Sequence, residues 1–148
     1  MALSAQRMLD LFQTHAELEF QNDFEGALGT VAPNPSYEYH PHGLRIDGRE
    51  AVEALYRRIC ANFNPILRER ENRLTAYGER ELVSEDLIEV EHPSTGRREQ
   101  FSVVSIFLFD DDGLVLGERV YMPGMMAELI TDALGRDFLK VPGVTKIN

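Results

Sequence analysis

Apolar side chains recur at three- and four-residue steps through residues 4–21, where Met8, Leu11, Phe12, His15 and Leu18 make one stripe. That spacing predicts an amphipathic helix. Asn22-Asp23 breaks it, and Phe24, Ala27, Leu28 and Val31 predict a short second helix. Pro33-Asn34-Pro35 reads as a turn. Tyr37 to Tyr39 predicts a strand, His40-Pro41-His42-Gly43 interrupts it, and Leu44-Arg45-Ile46 resumes. Asp47-Gly48-Arg49-Glu50 then predicts a helix start, with Asp47 capping and Glu50 reaching back. Val52, Leu55, Tyr56, Ile59 and Phe63 share one face of that helix, and Asn64-Pro65 ends it.

The period then changes from helical to strand-like. Arg73–Gly78 and Leu82–His92 predict strands, with Pro93-Ser94-Thr95-Gly96 as a turn. Phe101–Phe109 is the strongest strand, and Asp110-Asp111-Asp112-Gly113 turns the chain into Leu114–Met122. Pro123-Gly124 opens a last helix carrying Met125, Met126, Leu129, Ile130, Ala133 and Leu134, with Gly135 as its C-cap. Helices first and strands after predict an α+β domain with an antiparallel sheet. No repeat or linker divides residues 1–148, so one domain is expected.

The long strand is apolar on both sides. Phe101, Val103, Phe107 and Phe109 point one way, and Val104, Ile106 and Leu108 the other. A sheet with one wet face alternates apolar and polar. One face must cover the helices, so the second is expected to meet a partner copy. The chain is therefore expected to be a homodimer through Val104, Ile106 and Leu108.

Composition narrows the partners. Fifteen basic residues against 25 acidic ones give −10 over 148 residues. That balance argues against nucleic acid and against anionic lipid. The first half holds 8 basic and 11 acidic residues, the second 7 and 14. Arg57, Arg58, Arg68, Arg70 and Arg73 form a small basic cluster, read as a solvated helix end in preference to a binding role. The single cysteine, Cys60, cannot close an internal disulfide. Neither a signal-peptide pattern nor an apolar run of membrane-spanning length is evident, so a cytoplasmic protein is the expectation.

Three motifs, in order, carry a resemblance. They are Asn22-Asp23-Phe24-Glu25-Gly26-Ala27-Leu28, then Tyr37-Glu38-Tyr39-His40-Pro41 with Gly48-Arg49-Glu50-Ala51-Val52 and Tyr56, then Asp112-Gly113-Leu114-Val115 leading to Glu118-Arg119-Val120-Tyr121. Over residues 8–134 the chain resembles the NTF2-like superfamily, in its SnoaL-like and ketosteroid-isomerase-like branch. The resemblance implies a cone-shaped, cystatin-like fold. In it a curved antiparallel sheet packs against N-terminal helices and leaves an apolar pocket. It also implies a cofactor-independent isomerase or cyclase acting on an apolar carbonyl compound of polyketide or steroid kind. The ketosteroid isomerase pattern uses an Asp base and an oxyanion hole. Here His40 stands where the family's base stands, His15 where its first-helix Tyr stands, and Ser105 near its strand acid, while Tyr56 is retained. The alternative is a non-catalytic ligand-binding or accessory module. A third reading is a filled cone used only through its dimer surface.

The residues themselves supply candidates. His40 is the first choice as a base, because an imidazole titrates near neutrality. The competing reading is a histidine that bonds a turn. His15 could donate to a substrate oxygen, or be a satisfied core residue. Tyr56 packs with its helix face, and its phenol still needs a polar partner. Glu118 could orient His40 or form a structural ion pair. Strand alternation puts Glu118 and Tyr121 on opposite faces, so only one reaches the pocket. Phe12, Phe24, Glu38, Ser105, Phe107, Tyr121, Met122 and Met126 complete the expected ligand-binding set. No metal or cofactor is expected: Pro41 spoils the His40/His42 pair, and Asp110–Gly113 lacks a downstream calcium-binding glutamate.

Overall fold

The computed structural model describes residues 2–147. The first helix, α1 (Ala5–Phe20), is capped by the Ser4 hydroxyl, which accepts from Arg7 N–H. It buries Met8, Phe12 and His15, the stripe read from the sequence. Helix α2 (Phe24–Gly29) is capped by Asp23 and buries Ala27 and Leu28.

Val31 is not helical; it opens strand β1 (Val31–His40). Pro33-Asn34-Pro35 lies inside this strand rather than in a turn. Proline's fixed φ suits extended backbone, and its missing N–H only interrupts the ladder. Pairing accordingly jumps from Val31↔Val115 to Ser36↔Gly117. Strand β2 (Leu44–Asp47) folds back on β1.

Helix α3 (Arg49–Arg58) starts without the expected capping box. Gly48 at φ 89° is its N-cap, and Asp47, one residue too early, accepts from Ser36 Oγ at 2.6 Å instead. The α-helix also stops before Phe63. It passes into a π-helical turn, Ile59–Phe63, and a 3-10 turn, Asn64–Ile66. Wider π turns cluster at functional sites. This one carries Ile59 and Phe63, which line the interior cavity.

Strand β3 (Leu67–Tyr77) begins six residues earlier than the pattern predicts. Most of its positions are polar and nearly all are exposed, because it is an edge strand. The basic cluster is therefore split. Arg57 and Arg58 end α3, while Arg68, Arg70 and Arg73 sit on β3, paired with Glu91, Asp86 and Glu85 of its neighbour. Strands β4 (Glu81–Glu91), β5 (Arg98–Phe109) and β6 (Val115–Tyr121) follow, then helix α4 (Gly124–Leu134). Asp110 Oδ1 closes the β5–β6 turn by accepting from Asp112 and Leu114 N–H. Past Gly135 the structure adds a 3-10 turn, Arg136–Lys140, and strand β7 (Val144–Lys146), both too short to leave a periodic pattern.

The seven strands form one open, curved sheet in the order β3-β4-β5-β6-β1-β2-β7. Neighbours are antiparallel except β1 and β6, which run parallel. Irregularities at Leu67/Glu69 and Asn72/Leu74 in β3 and at Leu108/Phe109 in β5 add bend and twist. At Gly117 the backbones of β6 and β1 approach so closely that a Cβ would collide with the Ser36 carbonyl oxygen. Inside the curve, Leu82 and Val90 of β4 and Phe101, Val103, Phe107 and Phe109 of β5 join Met8, Phe12, Val52 and Leu55 of the helices in one core. No helix among the described residues is long and apolar enough to cross a membrane.

Candidate active site

Alternation along the strands delivers a few polar groups to an otherwise apolar inner face. On β4, Leu82, Ser84, Asp86 and Val90 are buried, so Ser84 and Asp86 point inward with the core residues. Ser105 lies opposite Ser84 on β5, and Glu118 of β6 lies opposite Phe107. All four are buried.

Asp86 accepts from Arg70 Nη2 at 2.8 Å, Ser84 Oγ at 2.8 Å and Asn72 Nδ2 at 3.0 Å. A carboxylate can take about four hydrogen bonds, so one acceptor position remains open. Among the described residues Glu118 forms no ion pair. Burial is the main cause that pushes its carboxyl up to about 8, with the negative charge of Glu19 next; the Ser105 hydroxyl and Arg70 oppose it. Glu118 is therefore largely protonated at neutral pH and can donate a hydrogen bond. Burial also raises Glu19 of α1, against Arg70.

These groups border a cavity of about 130 Å³. Its apolar wall includes Phe63, Phe107, Val120, Met122, Met126 and Ile130, and its polar wall includes Glu19, Tyr39, Arg70, Asp86, Ser105 and Glu118. An engineered apolar cavity of about 150 Å³ admits benzene. The space here accepts a group of about one ring.

Behind Glu19 lies a buried chain of hydrogen bonds. Thr30 Oγ1 donates to the Ala27 carbonyl at 2.6 Å, so its one proton is committed. His15 Nδ1, 2.6 Å from the same Oγ1, must then be the donor. Burial and nearby Arg70 lower His15 to about 4, so the ring is neutral and Nε2 is an acceptor. It accepts from Tyr56 OH at 3.0 Å. Tyr56 in turn accepts from Tyr37 OH at 2.5 Å. Glu19 Oε1 stands 3.7 Å from His15 Nε2, joining this chain to the cavity wall.

The structure thus gathers some expected residues and separates others. Glu118, Ser105, Phe107, Met122 and Met126 line the cavity. His15 and Tyr56 lie one layer deeper, fully covered. Phe12 meets Phe107 edge-on at 4.9 Å, within the core. Phe24 lies under the Arg57 guanidinium at 4.3 Å, away from the cavity.

His40, Glu38 and Tyr121 occupy the opposite face of the sheet. Tyr37 is fully buried on the inner side, so alternation sends Glu38 and His40 outward. His40 stacks on Tyr121 with ring centres 4.8 Å apart, and its Nε2 lies 3.2 Å from Glu38 Oε2. The register also settles the choice between Glu118 and Tyr121: Glu118 is inside and Tyr121 is 43% exposed.

Asp86, Arg70, Glu19, Tyr37 and Tyr39 escaped the sequence reading. Two of them left a signal. Leu82-x-Ser84-x-Asp86-x-Ile88-x-Val90 is an inward apolar series with two polar members. Glu19 follows His15 by four residues on the buried side of α1. Arg70 gave none, because it sits in a run of charges from Arg68 to Arg73.

N-terminal helices packed on an open, curved seven-strand sheet define the α+β, cystatin-like class of fold. The chain matches the SnoaL-like domain family over residues 5–117 and belongs to it. Among solved structures it resembles a steroid delta-isomerase from Pseudomonas aeruginosa, at 15% identity and TM-score 0.68, covering 93% of this chain and 95% of that one. It resembles the epoxide hydrolase/cyclase-like enzyme SalBIII of salinomycin pyran ring formation, at 13% identity and TM-score 0.68, covering 81% and 93%. It also resembles a Mycobacterium tuberculosis protein in complex with estradiol-17beta-hemisuccinate, at 22% identity and TM-score 0.66, covering 81% and 96%. At these identities the likeness establishes the fold alone. A search of curated protein sequences finds no match.

Proposed function

We propose that the chain is a cofactor-independent acid–base catalyst, of isomerase or cyclase type, for a small apolar carbonyl compound. The observation that carries this reading is a pair of buried carboxyls, Glu118 and Asp86, on the wall of one cavity, with burial pushing that of Glu118 towards its neutral form. A buried carboxyl pushed towards its neutral form, beside a second carboxyl bound to a guanidinium, can supply an acid and a base at one site.

In this scheme the Glu118 O–H donates to the carbonyl oxygen and stabilises the developing enolate. Asp86, through its open acceptor position, takes the proton from the neighbouring carbon and returns it at the conjugated position. His40 has no part in it, because it faces the other side of the sheet. The cavity holds about one ring, so a larger substrate would leave its remainder beside the exposed lining residue Phe20. The P. aeruginosa isomerase and the SalBIII enzyme support the reaction class by their names only.

The test uses 3-cyclohexen-1-one, whose conversion to the conjugated enone is followed by absorbance. The wild-type chain is expected to accelerate it over buffer. Glu118→Gln is expected to remove about 100-fold or more of that acceleration, the usual contribution of a positioned acid. Equal rates for both proteins would overturn the assignment. Binding of cyclohexanone with no turnover of the enone would make the chain a ligand-binding module instead.

We further propose that it is a homodimer through the outer sheet face. Val104, Ile106 and Leu108 are half-buried there, and Ile106 is flanked by Val83 on β4 and Arg119 on β6. Acidic Glu85 lies on one side of the apolar centre and basic Arg119 on the other. A two-fold axis along β5 brings unlike charges together, which favours a second copy as the occupant. Sedimentation at micromolar concentration is expected to show a dimer, and Ile106→Asp a monomer. A monomeric wild type would overturn this.

A further inference from the structure

A second concavity lies outside the candidate active site. It is a groove of about 420 Å³ bordered by the β1–β2 turn, the end of α4, the following 3-10 turn and β7. Small-molecule sites run from roughly 300 to 1,000 Å³. Its apolar surface comes from Leu44, Leu134, Phe138 and Leu139, with Leu134 and Phe138 buried as a floor and Leu139 50% exposed at the rim.

Three basic side chains surround that surface: His42, Arg136 and Lys146. Among the described residues no acidic side chain borders the groove, although the chain carries −10 overall. None of the three takes part in an ion pair or side-chain hydrogen bond among the described residues. Lys146 is held opposite Leu44 by the β2–β7 ladder, and Ile147 N–H is tied to the Gly43 carbonyl at 2.8 Å. The nearby C-terminal end of α4 would repel an anion if its carbonyls were bare. They are not: Arg58 donates to the Leu134 carbonyl and Asn62 to that of Ala133.

We propose that this groove binds a free apolar monocarboxylate, with its tail on Leu134, Phe138 and Leu139 and its carboxylate between Arg136 and Lys146. Unpaired cations beside a buried apolar floor match the two ends of such a molecule, and pairing them with an anion adds charge-assisted hydrogen bonds. The outward His42 completes the basic rim. This site does not depend on the catalytic reading.

The test is titration of the full chain with decanoate, followed by calorimetry and by NMR shifts of assigned amides. Decanoate is expected to bind at least about tenfold more tightly than decanol, with shifts at Leu139 and Lys146. Arg136→Gln combined with Lys146→Gln is expected to remove that preference, and Leu139→Ser to weaken both probes. Glu118→Gln is expected to leave decanoate affinity unchanged, which separates this site from the interior cavity. Equal affinity for decanoate and decanol would overturn the proposal. So would shifts confined to the Met126 and Glu118 region. Binding to phosphatidylglycerol vesicles without binding of monomeric decanoate would also overturn it, in favour of a membrane surface.

Discussion

Glu118→Gln is expected to make the protein less sensitive to alkali: thermal melts from pH 6.5 to 8 should slope downward for the wild type and flatten for the variant. In the unfolded chain Glu118 ionises near its ordinary value of 4.5, while in the fold it holds its proton up to about 8. Between those values the native state binds one more proton, so stability falls as pH rises, by about 1.4 kcal/mol per pH unit for each such group. His15 works the other way. Its native value is about 4 against 6.5 unfolded, so its contribution is lost as pH falls from 6.5 to 4. Above pH 6.5 His15 is silent. Glu19, raised in the same direction as Glu118 and reaching about 7, adds to the slope only in the lower part of the window. Glu91 and Asp137, lowered by Arg68 and Arg58, act below the range of ordinary carboxyls and leave it untouched. Parallel slopes for wild type and variant would show that Glu118 is ionised in the native state, and the proposed acid would lose its proton.

Tyr56→Phe carries the second large effect, and it falls on the fold before it falls on any reaction. Tyr56 OH is both donor to His15 and acceptor from Tyr37. Removing one oxygen strands two buried polar groups, each costing about 1–3 kcal/mol. The variant is expected to lose ~2–5 kcal/mol, or about 5–15 °C in Tm for a chain of this size. Tyr37→Phe should be milder, because Tyr37 only donates within the chain of bonds. The double variant Tyr37→Phe with Tyr56→Phe should be no worse than Tyr56→Phe alone, since the stranded Tyr37 hydroxyl is gone. Additive losses measured by chemical denaturation would show that the two phenols do not act through each other.

The elements were legible where period and burial coincide. The α1 stripe, the β4 and β5 cores and the α4 face all bury the residues that their spacing selected. Reading failed where burial is on one side of a polar strand or where backbone chemistry misleads. Pro33 and Pro35 look like a turn, yet the ladder simply skips them. Arg70 looks like solvated charge, yet it reaches inward to Asp86. For the site, the decisive unknown was the phase of β1. Placing Tyr37 and Tyr39 inward sends His40 to the outer face, and a one-residue shift would have reversed that. No count of histidines along a chain can supply this phase. The inner carboxyls were legible in principle, as polar interruptions of an apolar series at Ser84 and Asp86.

The sheet ends on one side in β3, eleven residues long and without a neighbour beyond it. A naked strand of that length is a template on which further chains can polymerise into fibrils. Its sequence blocks this route. Arg68, Glu69, Arg70, Glu71 and Arg73 crowd charge into its first half, and two irregularities break its straightness. The same charges that hid the strand from pattern reading therefore act as gatekeepers against aggregation. Neutralising Glu69 and Glu71 with valine would leave the core intact and turn a soluble edge into an adhesive one.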